Sequence, residues 1–141
     1  VTVGYIEIMA ENEPNEELDL LAHEVIGAAI EVHRILGPGY LESVYEAALA
    51  VELSLRSIAF ERQAPIFLEY KGAPIGEGRL DILVQRKLIV EIKAIEALAA
   101  VHKAQAISYL KATGCRLALL INFNSAILKD GIKRIIYSDP S

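Results

Sequence analysis

The chain has one cysteine, one methionine and no tryptophan in 141 residues, and aromatic side chains make up 6% of it. The lone Cys115 cannot close an internal disulfide, and with three scattered histidines it offers no zinc-ligand spacing. Apolar runs such as Leu117–Ile121 fall far short of the ~20 residues a membrane helix needs. No basic-then-apolar leader opens the sequence, and there are no repeats or low-complexity tracts. These absences point away from secreted, membrane-embedded and disordered classes and toward a cytoplasmic domain.

What is present is ordinary globular material, 53% hydrophobic and 23% charged. A chain of this length buries roughly 68–70% of its extended surface, enough core to fold without staples. The expected organisation is one domain over residues 16–141, preceded by an extension over 1–15. Val1–Ile8 of that extension is either a segment upstream of an alternative start at Met9 or an added edge strand. The formal net charge is −5, but it is unevenly spread. Residues 1–61 carry 12 acidic and 2 basic side chains, whereas residues 62–141 carry 7 acidic and 12 basic ones. The second half therefore has the charge to present a basic face, and the same side chains also serve simple solvation.

Hydrophobic periodicity predicts a helix over Glu16–Leu36, burying Leu18, Leu21, Val25, Ala28, Ala29, Val32, Ile35 and Leu36. Gly37-Pro38-Gly39 ends it. A second helix, from about Leu41 to Arg56, is expected to pack Leu41, Val44, Tyr45, Ala48, Val51 and Leu55. The period then falls to two, giving strands at Ile66–Tyr70, Arg79–Val84 and Leu88–Lys93. Leu98–Ala112 is helical and stops at Gly114; Arg116–Phe123 and Ile132–Tyr137 are further strands. The order is helix, three strands, helix, strand. A βαβ unit within it calls for a mixed sheet flanked by helices.

The chemistry gathers in RLDILV and LIVEIK. A three-residue loop at Gln85–Lys87 pairs Val84 with Leu88, Leu83 with Ile89 and Ile82 with Val90. That register sets Asp81 opposite Glu91 and Arg79 opposite Lys93, with Asp81, Glu91 and Lys93 on one face. A two-residue loop would instead face Asp81 with Ile92. Opposed carboxylates repel by a few tenths to ~1 kcal/mol on an open sheet, and by more when desolvated. A divalent cation relieves this, and magnesium commonly takes one or two protein carboxylates while keeping waters and phosphate oxygens. Lys93 then stands ready to orient or activate a water, an arrangement suited to phosphodiester hydrolysis. The plainer reading of the same residues is a surface ion pair worth ~0–1 kcal/mol.

Asp81 followed by Glu91-Ile92-Lys93 resembles the D…ExK core of the PD-(D/E)xK nuclease superfamily, and the αβββαβ order is similar to its restriction-endonuclease-like core. Gly39-Tyr40-Leu41-Glu42-Ser43-Val44-Tyr45 fits the pattern that names the GxxExxY family. The likeness runs from Leu18 to Ile136 through VHRILGPGYLESVYE, the YKG turn, GRLDILV, LIVEIKAIE, HKAQAISYLKATG and LLINF. It implies an α/β fold and a Mg²⁺-dependent nuclease (Mn²⁺ as substitute) acting on nucleic acid, DNA ahead of RNA. Asp81, Glu91 and the main-chain carbonyl of Ile92 would bind the metal. Lys93 would be the catalytic lysine, Glu42 an acidic residue at the metal or its water shell, and Gln105 a polar group facing the site. Ser108 stands where the family often has Asn, and Gln85 where an acidic residue is frequent; neither departure removes a catalytic group.

Other residues carry plainer alternatives. Glu42 and Glu46 are one helical turn apart, as on a solvated face, and the motif singles out Glu42 alone. Tyr45 is expected to be a packing residue whose hydroxyl finds a local partner. Among the histidines, His102 stands out over His33 because it would share a helix face with Gln105. His102, Lys103, Lys111 and Arg79 are candidate nucleic-acid contacts, with Arg116, Lys129, Lys133 and Arg134 as further phosphate candidates. A homodimer would supply the surface that so small a chain lacks for enclosing a duplex. The competing function is a non-catalytic nucleic-acid-binding or protein-interaction module on the same fold.

Overall fold

The computed structural model describes residues 4–7 and 15–138. Its elements are β1 (Gly4–Glu7), α1 (Glu16–Leu36), α2 (Glu42–Leu55), β2 (Phe60–Tyr70), β3 (Ala73–Val84), β4 (Leu88–Lys93), α3 (Ala100–Thr113), β5 (Leu117–Asn122) and β6 (Ile132–Ser138). The strands form one mixed sheet in the order β1-β6-β5-β4-β3-β2. Among the described residues only β4 and β5, the strands joined by α3, run parallel. Most of the expected N-terminal extension lies outside the described residues, but Gly4–Glu7 pairs antiparallel with β6 as an edge strand. No helix among the described residues is long and apolar enough to cross a membrane.

Two apolar layers sandwich the sheet. On one face α1 and α2 bury Val25, Ala29, Tyr45, Leu49 and Leu53 against Leu88, Val90 and Ile92 of β4 and Leu117, Leu119 and Ile121 of β5. On the other, Ala106 and Leu110 of α3 cover Ile89, Ala118 and Leu120. The period-two alternation of β4 and β5 divides these sets, so Glu91 and Lys93 belong to the α3 face.

α1 starts where Asn15 accepts the Leu18 amide at 2.7 Å, with Glu16, Glu17 and Asp19 at its positive end. Its buried face is the expected one except for Ile35, which is exposed. α2 departs further from expectation. It buries Tyr45, Glu46, Leu49, Ala50 and Leu53, while Leu41 and Leu55 are 76% and 74% exposed and Val44 and Val51 also face outward. ESVYEAALAVELSL is apolar almost all round, so its periodicity describes two adjacent stripes. Tertiary anchoring chooses between them: the Tyr45 ring stacks on Phe123 at 4.7 Å, and its hydroxyl donates to Gly37 O. That hydroxyl also accepts the Tyr40 amide at 3.1 Å, which closes the α1–α2 corner around Gly39, held at φ +111°.

β2 and β3 are longer than their alternation predicts because Phe60–Pro65 and Ala73–Gly78 are held by cross-strand pairing rather than by two-sided burial. Lys71 and Gly72 join them, both at positive φ, as a tight hairpin requires.

Candidate active site

β3 and β4 pair as Val84↔Leu88, Leu83↔Ile89 and Ile82↔Val90, the register that a three-residue loop dictates. The backbone ladder then gives way to side chains. The Asp81 amide donates to Glu91 Oε2 at 3.1 Å, and the Ile92 amide donates to Asp81 Oδ2 at 2.7 Å. Each carboxylate is thus held by the backbone of the other's strand. Asp81 Oδ1 and Glu91 Oε1 have no hydrogen-bond partner among the described residues.

Simple alternation would put Asp81 beside Glu91, but the structure arrives there differently. Leu80 and Ile82 are two positions apart yet bury on opposite faces, Leu80 toward α3 and Ile82 toward α1 and α2. Their β2 partners do the same. Ala64, across from Leu80, joins the α3 layer, while Arg62, across from Ile82, reaches Glu46 of α2. The reversal falls at Gln63 and Asp81, which that register sets opposite one another. Gln63 has φ +51°, a left-handed conformation rare for a non-glycine residue. The Asp81 side chain consequently turns into the gap between β3 and β4. Arg79 does not lie across from Lys93 in the ladder; it pairs with Pro65, and its guanidinium donates to Gln63 O at 3.1 Å.

Glu91 is only 4% exposed. Burial, then the neighbouring Asp81 charge, pushes its carboxyl up to about 8, against which the Asp81 amide and Lys93 act. Burial also raises the Asp81 carboxyl above the usual range; the Ile92 amide opposes this and the charge of Glu46 adds to it. Two desolvated carboxylates with free oxygens form a site that gains from a cation. Lys93 Nζ donates to Gln105 Oε1 at 3.3 Å, and Gln105 Nε2 donates to the Tyr109 hydroxyl at 3.1 Å. Burial and the charges of Glu91 and Asp81 raise the Tyr109 hydroxyl above its usual value.

The structure therefore brings Asp81, Glu91, Lys93 and Gln105 together. Glu42 begins α2, in the layer on the opposite face from Gln105. Among the described residues no three His, Cys, Asp or Glu side chains converge as a metal cage, so Glu42 acts on the pair through its charge. Glu46, read from sequence as part of a solvated face, is 9% exposed and accepts from Arg62 Nε at 3.1 Å and Gln63 Nε2 at 2.8 Å. His102 accepts the Ala99 amide at 2.9 Å and so caps α3. Lys103 is half-buried on α3. Lys111, near the helix's C-terminal end, lines a groove of about 510 Å³ with Phe67, Leu68, Glu69 and Ser108. Arg134 holds Asp19 at 2.8 Å, and His33 Nε2 donates to Ser125 O at 2.8 Å, so both tie elements together.

Sequence reasoning passed over Gln63, Tyr109 and Asn122, and took Glu46 for a solvated side chain. The i,i+4 spacing of Gln105 and Tyr109 was readable. The side chain of Asn122 binds both the amide and the carbonyl of Ile95, pinning the segment that follows Lys93, and no local pattern announces it.

Comparison with known families matches residues 19–135 to the PD-(D/E)XK nuclease superfamily. The chain belongs to that superfamily. No curated protein and no solved structure matches it. Nuclease superfamily membership and the mixed α/β sheet agree, and together they suggest a nuclease-like function with a nucleic-acid substrate.

Proposed function

We propose that this superfamily member is a divalent-metal-dependent nuclease that hydrolyses phosphodiester bonds, in DNA by preference, and that it falls in the GxxExxY group. The observation that carries the reading is the interlocked pair Asp81 and Glu91, two hard oxygen donors raised by burial, each with one oxygen unpaired among the described residues. That donor chemistry fits Mg²⁺ or Mn²⁺, held by the two carboxylates with the Ile92 carbonyl. A bound cation would polarise the scissile phosphate and acidify a water at neutral pH. The chain's own groups do the rest. Lys93, fixed by Gln105, donates to the attacking water and offsets charge gathering on the phosphate. Tyr109 steadies Gln105, and Glu42 adds negative charge that favours cation uptake.

The test is cleavage of end-labelled single-stranded, duplex and branched DNA in Mg²⁺ or Mn²⁺, with EDTA as control. Metal-dependent products support the proposal, and the preferred substrate begins to define a role in the cytoplasm. Salt-dependent binding with no product in either cation would instead mark a non-catalytic module. Light scattering on the same samples decides whether a homodimer presents the site.

A further inference from the structure

The reversal of faces at Gln63 and Asp81 needs something to hold it. A non-glycine residue in the left-handed region is disfavoured, so an unrestrained β2 would straighten and return Gln63 to ordinary alternation. Three contacts oppose that. The nearly buried Glu46 carboxylate takes the Gln63 amide group on one oxygen and the Arg62 guanidinium on the other. From β3, Arg79 binds the Gln63 carbonyl. Glu46 thus joins α2 to two consecutive residues of β2, at the step facing Asp81.

We propose that Glu46 is a positioning residue: by gripping Arg62 and Gln63 it keeps β2 reversed, and the reversal turns the Asp81 carboxylate into the gap between β3 and β4, onto the Ile92 amide. The role rests on the reading of Asp81 as a cation ligand. It separates Glu42 and Glu46 of α2, with exposed Glu42 acting through its charge and Glu46 through the backbone it holds. A regular strand carried back from the Ile82↔Val90 pair would send residue 80 to the α1–α2 face and leave the side chain of residue 81 upright on the α3 face, beside Glu91 but out of the gap between β3 and β4. The Asp81 carboxylate would then leave the Ile92 amide, and the interlock with Glu91 would open.

The Ile92 amide, bound to Asp81 Oδ2, reports the carboxylate's position without any metal. Hydrogen exchange is therefore measured on wild type, Glu46→Gln, Gln63→Val and Gln63→Gly, with the amides of Ile89 and Val90 as controls for global opening. Glu46→Gln should speed Ile92 exchange about tenfold, the loss of one ordinary hydrogen bond, and leave the controls unchanged. Gln63→Val, whose branched side chain rejects positive φ, should do the same, whereas Gln63→Gly accepts the conformation and keeps Ile92 protected. Mn²⁺ affinity should follow the same order, falling roughly 10-fold in the first two variants. Unchanged Ile92 exchange in Glu46→Gln would overturn the proposal, and that variant decides if Gln63→Val does not fold. If wild type bound no Mn²⁺, the cation-site reading would fall, while the exchange order would still decide the positioning role.

Discussion

Replacing Glu91 by glutamine should make the protein more stable at alkaline pH. Glu91 is held up to about 8 from an ordinary 4.5, with burial as the largest cause and the Asp81 charge next. Between those two values the folded state binds a proton that the unfolded state has released. Stability conferred by the protonated group is therefore complete below about 4.5 and drains away as pH rises to about 8. A shift of this size has a ceiling of about 5 kcal/mol. Glutamine imitates the protonated carboxyl and can still accept the Asp81 amide, so the two proteins should match near pH 5. The variant should gain progressively above that, approaching the ceiling at pH 8.5. Urea unfolding in EDTA from pH 5 to 8.5 measures the difference directly. Added Mg²⁺ should stabilise wild type at the alkaline end and leave the variant almost unmoved. Superimposable pH profiles for the two proteins would refute the claim that Glu91 is a desolvated carboxyl.

Three further outcomes follow from individual contacts. Lys93→Met should leave Mn²⁺ affinity, read by calorimetry, within a factor of about 3 while cutting single-turnover cleavage by roughly 100-fold or more. Tyr45→Phe removes the hydroxyl that donates to Gly37 O and accepts the Tyr40 amide, and should lower unfolding free energy by about 1–3 kcal/mol in urea melts. At Gly131 an added Cβ would lie 2.2 Å from Ser125 Oγ and 2.7 Å from Asn122 O, so Gly131→Ala should cost about 1–3 kcal/mol and depress the melting temperature.

Much of the architecture could be read in the sequence because its signals are local. The span of α1, the stop at Gly37 and the register of the β3–β4 hairpin each follow from a few adjacent residues. The buried face of α2 could not be read, since helix α2 is apolar nearly all round and Phe123, far along the chain, selects the stripe through Tyr45. The long β2–β3 hairpin was foreshortened because cross-strand pairing, rather than alternation, holds its outer part. At the candidate site, Asp81, Glu91 and Lys93 were legible through motif spacing, and Gln105 through the family resemblance alone. The reversal at Gln63 was not, because period-two reasoning assumes a strand that never changes sides. Glu46 was misjudged for a related reason: its partners Arg62 and Gln63 sit on another element, and nothing in the helix itself distinguishes it from a solvated glutamate.

The most direct test compares single-turnover cleavage of labelled DNA by wild type and Asp81→Asn at matched Mg²⁺ and protein concentrations, with circular dichroism and melting on both. Asparagine keeps an oxygen for the Ile92 amide but removes the charge a cation needs, so the variant should stay folded and lose more than roughly 100-fold in rate. Equal rates for the two proteins would contradict the assignment of Asp81 to the metal and the proposed hydrolysis built on it.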